Sequence, residues 1–222
     1  PTRASINTTA GVSIVTYTGN ATDGATLAHG LGTTPSAAIF KKRGGTSQWT
    51  VHHAGLTSGI SGGRGIQLDA ADGETNTFGA GYADTFNANT CTLQTGSSTD
   101  ANVNDATTYV AYFFAEVSGF SKFGIYEGNG NADGTFVETG FKPALFFGKV
   151  IDAEQGWGLF DSGRSPVNPL NKALQPNENA ANYTHSSAKV DFLSNGVKMR
   201  GTYGPLNGSN TIIYFAWAEH PF

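Results

Sequence analysis

The chain has 222 residues, 38% hydrophobic and 12% aromatic, enough apolar material for one large core or two small ones. Only 14% are charged and the net charge is −4, which excludes the basic surface that nucleic-acid phosphates require. No run approaches the ~18 apolar residues of a membrane-spanning helix, and no secretory leader is visible.

With so little charge, the polar surface falls to Thr, Ser, Asn and the 30 glycines, a composition that suits strands and tight turns. Residues 1–11 read as an N-terminal arm. After it, short alternating runs are predicted as strands at Val12–Tyr17, Ala25–His29, Ala37–Lys42, Trp49–His53, Ile66–Asp69, Thr77–Tyr82, Thr90–Gln94 and Thr108–Val117. Eight such runs at roughly ten-residue spacing indicate a β-sandwich or jelly roll. Residues Asn168–Glu178 are the one place for a short helical turn, confined by prolines. Cys91 is the single cysteine and reads as a buried structural thiol.

The second half follows the first. Tyr17-Thr18-Gly19-Asn20 is matched by Tyr126-Glu127-Gly128-Asn129, and an Asp-Gly pair follows each, Asp23-Gly24 and Asp133-Gly134. Pro35 matches Pro143, Trp49 matches Trp157, and Tyr112–Glu116 matches Phe215–Glu219. The fold expected is therefore all-β: two tandem, internally repeated, jelly-roll-like sandwich halves packed as a pseudo-two-fold unit, with repeat 1 over 12–118 and repeat 2 over 119–222. Matched residues are read as scaffold: the Asp-Gly pairs as hairpin turns, the tryptophans as core, and the aromatic closing strands as central.

Few constellations carry chemistry. His52 and His53 are adjacent on a strand, so they point to opposite faces and do not chelate one metal together. They align with Phe160 and Asp161, so any role would belong to one half only. Asn129, Asn131 and Asp133 place oxygens at alternate positions, like the front of a calcium loop, but position twelve is Gly140 where a carboxylate is needed. A polar turn is the favoured reading, with the metal site a weak alternative. No phosphate-binding glycine loop, nucleophile elbow or framed carboxylate pair occurs, so neither a cofactor nor an enzymatic activity is expected. The most distinctive unrepeated stretch runs from Asp161 to His185. Its pinned loop offers Arg164, Asn168, Asn171, Tyr183 and His185 as candidate ligand contacts.

Several longer strings are similar to a domain family of tailed phages from marine settings. They are Phe120–Gly130, Gly140–Ala144, Arg164–Pro169, Asp191–Gly196 and Ala218–Phe222, with Tyr17–Asn20 and His29–Gly32 in the first half. The resemblance covers nearly the whole chain from Gly11 onward. It implies a virion component, associated with tail fibres or lectin-like modules, and it carries over no catalytic or binding residues. On that basis the expected function is host attachment at the virion surface, through a glycan or protein receptor. Capsid decoration or another assembly role, with neighbouring virion proteins as partners, is the alternative; a polysaccharide-degrading enzyme is third. The expected state is a homo-oligomer, a trimer being common among tail proteins, although no heptads enforce one.

Overall fold

A computed structural model describes residues 1–74, 82–96, 102–181 and 183–220. The chain separates into two compact units, one comprising 1–68 and 74–116, the other 69–73 and 117–222. Every paired strand is antiparallel, and the architecture is all-β and sandwich-like.

The first unit contains β1 (Arg3–Asn7), β2 (Val12–Thr18), β3 (Ala25–Ala28), β4 (Ala37–Lys42), β5 (Thr50–His53), β6 (Ile66–Gln67), β7 (Ala83–Phe86), β8 (Thr90–Leu93) and β9 (Thr108–Phe114). Its larger sheet has the order β1-β2-β9-β4-β5-β6 and its smaller one β3-β8-β7. Val15 and Tyr17 of β2, Phe40 of β4, and Tyr109, Ala111 and Phe113 of β9 face Leu27, Phe86, Cys91 and Leu93 of the smaller sheet. Alternate residues of each strand thus supply one core, as period-2 patterning requires. Cys91 is buried and free, its thiol pushed up to about 12 by burial, which fits an inert core residue.

The second unit contains β10 (Ser121–Glu127), β11 (Phe136–Glu138), β12 (Pro143–Val150), β13 (Trp157–Asp161), β14 (Lys172–Ala173), β15 (Tyr183–Thr184), β16 (Val190–Leu193), β17 (Gly196–Met199), the turn of helix α1 (Gly204–Asn207) and β18 (Thr211–Ala218). Its sheets have the orders β10-β18-β12-β13 and β11-β17-β16, with β14-β15 a separate pair. The strand orders β2-β9-β4-β5 and β3-β8-β7 of the first unit therefore recur. Phe146, Phe160, Ile212, Tyr214 and Ala216 face Val190, Phe192, Val197 and Met199 across the second core. The closing strands β9 and β18 are central, as their aromatic content predicts.

Several details depart from the sequence reading. Within the segment read as an N-terminal arm, Arg3–Asn7 form an edge strand, paired along its length with β2. Strand β7 was not foreseen, and most of the run predicted at Thr77–Tyr82 lies outside the described residues. Residues 168–178 hold β14 and loops; the helical turn lies at Gly204–Asn207, where Pro205 suits a first turn. Trp157 does not fill the sandwich core. It lies three residues from Phe160 and so on the opposite sheet face, beside Phe147 (5.9 Å) and Phe215 (6.2 Å). Trp49 is half-buried and stacks on Tyr112 at 6.5 Å.

The Asp-Gly segments are not hairpins either. Strand β2 pairs in one sheet and β3 in the other, so the Gly19–Gly24 segment carries the chain between sheets, as Gly128–Gly134 does between β10 and β11. Both crossovers are held alike. The Asn20 amide donates to Asn104 Oδ1 (3.1 Å), and Asn104 Nδ2 donates back to Asn20 Oδ1 (3.2 Å) and to the Thr22 carbonyl (2.7 Å). In the second unit the Asn129 amide donates to Asn207 Oδ1 (3.2 Å), and Asn207 Nδ2 donates to the Asn131 (2.7 Å) and Gly201 (2.8 Å) carbonyls. The neighbouring phenols, Tyr17 and Tyr126, donate to the Val103 (2.7 Å) and Leu206 (2.6 Å) carbonyls. Burial holds both phenol pKa values well above the usual tyrosine value, so they remain donors. Gly19 and Gly128 complete the arrangement. A Cβ there would lie 2.0 Å from the Asp105 carbonyl oxygen and 1.9 Å from that of Gly208.

These contacts predict matched losses. Tyr17→Phe and Tyr126→Phe should each destabilise their unit by about 1–2 kcal/mol, and Gly128→Ala by about 3 kcal/mol because backbone must move. Denaturant titration, with hydrogen exchange to assign the loss to one unit, measures both.

Candidate functional site

The unrepeated segment from Asp161 to His185 is the most distinctive surface feature of the second unit, and it is stitched down rather than loose. Arg164 closes the turn after β13: its amide donates to Asp161 Oδ1 (2.8 Å) and its Nε to Oδ2 (2.5 Å). The two terminal guanidinium nitrogens are buried and make no hydrogen bond. Asn168, which precedes a cis peptide bond to Pro169, acts as a one-residue strand. Its Nδ2 donates to the Phe192 carbonyl (3.0 Å) and its Oδ1 accepts from the Phe192 amide (2.9 Å). Leu170 and Val190 then exchange backbone bonds of 2.7 and 3.0 Å. The Asn171 amide donates to Ser165 Oγ at 3.4 Å. Tyr183 pairs through its backbone with Ala173. His185 is exposed; its Nδ1 lies 2.7 Å from Ser187 Oγ, and its ring is 6.1 Å from that of Tyr203.

Arg164, Asn168, Asn171 and His185 each bond to a different partner, and among the described residues no hydrogen bond joins one of them to another. Arg164 and Asn168 are supports of the loop. What the loop presents outward is Pro166, Val167 (74% exposed), Asn168 and Pro169, a neutral and partly apolar tip on a fixed base. Such a surface suits contact recognition.

The other candidates also resolve into structure. The oxygens of the calcium-like loop are used internally: Asn129 Oδ1 accepts from the Asn131 amide and Asn131 Oδ1 from the Asp133 amide, both at 3.0 Å. Asp133 pairs with Lys198 at 2.7 Å, and that partner holds its carboxyl below the usual range. Among the described residues no group of three His, Cys, Asp or Glu side chains could hold a metal. His52 and His53 are both fully buried. His53 Nδ1 accepts the Gly55 amide at 2.9 Å. The His52 ring packs against Phe40, Tyr82 and Phe86, and burial depresses its pKa to about 3. The Arg64 backbone approaches and opposes that shift in part, without the geometry of a hydrogen bond to either ring nitrogen.

Two features escaped the sequence reading. The clamp residues Asn104 and Asn207 each follow an apolar residue and precede a strand-opening Thr by four positions, a signal present in both halves. Lys149 is fully buried beside Trp157 and donates to the Ala71 and Val150 carbonyls, both at 3.0 Å. Burial lowers its pKa to about 8, opposed by Asp72 and Glu154. It thereby fastens Asp69–Gly73, which belongs with the second unit, together with the Gln155 amide that donates to the same Ala71 oxygen (2.9 Å).

Two outcomes follow. Asn168→Asp removes the donor to Phe192 and should cost about 1–2 kcal/mol, whereas Val167→Ala should change stability by less than about 0.5 kcal/mol; thermal melting compares them. For Lys149, a folded pKa below the unfolded one means that the unfolded chain binds more protons between about pH 8 and pH 10.5. Stability should rise across that window by up to about 3 kcal/mol relative to Lys149→Met. Parallel denaturant titrations of the two proteins across that range measure the difference.

Among known proteins, neither a curated protein nor a solved structure matches the chain. Residues 1–221 match one family model, described as a domain of unknown function, DUF7483. From its start to within a residue of its end, the chain belongs to that family.

Proposed function

We propose that this protein is a virion-surface module of a tailed phage that attaches to the host, taking a surface glycan or protein receptor on the Asp161–His185 loop. The observation that carries the reading is the tip at Pro166–Pro169. It is exposed, neutral and partly apolar, and it is held by Asp161, Phe192 and Val190 so that little ordering cost attends binding. Weak contacts of this kind gain strength when many copies are displayed on one particle.

A second reading, an assembly role among virion proteins, rests on β1. All five of its residues are exposed, and it ends the larger sheet of the first unit with no proline and with Arg3 as its one charged side chain.

Purified protein applied to candidate host cells and to a glycan array tests the leading proposal. Binding that falls at least about tenfold in Val167→Glu, with the melting temperature unchanged, is the expected result. Antibody labelling should then place the protein on the outside of particles. Absence from particles would refute both readings. Presence in particles without host or glycan binding would leave the assembly role in place of attachment.

A further inference from the structure

The two units differ most sharply in where they keep their imidazoles. His29, His52 and His53 are all fully buried in the first unit, whereas both histidines of the second, His185 and His220, are exposed. The contrast is sharpest at one position. Phe160, which aligns with His52, is an ordinary buried phenylalanine of the second core.

His52 sits on β5 in a cage of rings, 5.7 Å from Phe40 (β4), 5.5 Å from Tyr82 and 5.4 Å from Phe86 (β7). Among the described residues neither ring nitrogen meets hydrogen-bond geometry, and the approaching Arg64 backbone opposes the effect of burial only in part. Tyr82 is the titratable group that faces it, and its phenol is raised by burial, so it stays neutral. The charges on the surrounding elements are engaged elsewhere. Lys42 pairs with Asp105 (2.6 Å), Lys41 donates to the Ser47 carbonyl, Asp84 accepts the Gly62 amide (2.8 Å), and Arg64 pairs with Glu74 (3.5 Å). Among the described residues, therefore, no carboxylate stands ready to receive an imidazolium at His52. His29 is held differently but to the same effect. Its Nε2 lies 3.0 Å from the Asn87 carbonyl and its Nδ1 accepts the Leu31 amide (3.3 Å), so the neutral Nε2–H tautomer satisfies both partners. A second ring proton would set Nδ1 against an N–H. Burial also lowers the His29 pKa.

We propose that the first unit is an acid-releasable sandwich, which opens as pH falls because the imidazoles of His52 and His29 can take up protons only when it is open, while the second unit stays closed. The sign is set by where protons bind. The opened chain binds more protons than the closed one below the ordinary histidine value, so closure is strongest above about pH 6.5 and weakens as pH falls from there. With a folded value near 3, His52 alone makes opening about 100-fold more favourable at about pH 4.5 than at about pH 7.5. His29 adds in the same direction. This device does not depend on the function proposed above.

Hydrogen exchange of the full chain, corrected for intrinsic rates, reads the two units separately. The expected result is a rise of at least about 100-fold in the opening constant of β4, β5 and β9 between those two pH values, with β12, β16 and β18 changing less than about threefold. His52→Phe, which installs the residue of the second unit, should cut that rise at least about tenfold. Equal responses in the two units, or a full rise in His52→Phe, would overturn the proposal. Should the variant not fold, histidine-ring NMR of the natural chain decides. A His52 ring that stays neutral to about pH 4 in the folded protein supports the device, and one that titrates near its ordinary value while folded refutes it.

Discussion

A chain that leaves one sheet to join another strips its backbone of ladder partners at the crossing, and the amides there need other partners if the crossing is to be held in one place. In this protein a single asparagine side chain meets that demand in each unit. Asn104 and Asn207 both accept the amide of the asparagine that begins the crossover and donate to a carbonyl two residues further on. The crossing fixes which strands can pair. Once β2 and β10 have delivered the chain to the second layer, β9 and β18 are drawn back to the centre of the first, where the clamp asparagine stands four residues before each. The glycine at the turn follows from the same geometry, because the returning carbonyl occupies the space a side chain would need.

What the two units do not share is more informative about function than what they do. The first carries imidazole where the second carries phenylalanine, and extends its larger sheet with β1 and β6. The second carries the long pinned segment after β13 and the buried Lys149 that fastens Asp69–Gly73. The two units thus share strand orders and differ in what is added to them, buried imidazoles in one and a pinned outward loop in the other.

Much of the fold was legible in the sequence. Alternation located most strands, Ala37–Lys42 to the residue, and aromatic content placed the closing strands at the sheet centres. The failures have physical causes. Asp-Gly is a turn signal but does not say whether the next strand pairs with the last, and here a side-chain clamp sends it to another sheet. Tryptophan spacing suggested core, yet a sheet has two faces, and Trp157 falls on the one away from Phe160. The candidate site was legible as a segment and not as a set of contacts. The proline spacing marked the pinned loop, but nothing local shows that Asn168 would spend both amide groups on Phe192, 24 residues further on and roughly 80 Å away along a fully extended chain.

Site-resolved hydrogen exchange at the Asn20 and Asn129 amides tests the clamp most directly, because both residues are exposed loop positions that would otherwise exchange freely. If a buried asparagine holds each crossover, both amides exchange as slowly as the central strands β9 and β18. Exchange at the rate of an unprotected loop, in either unit, would contradict the account.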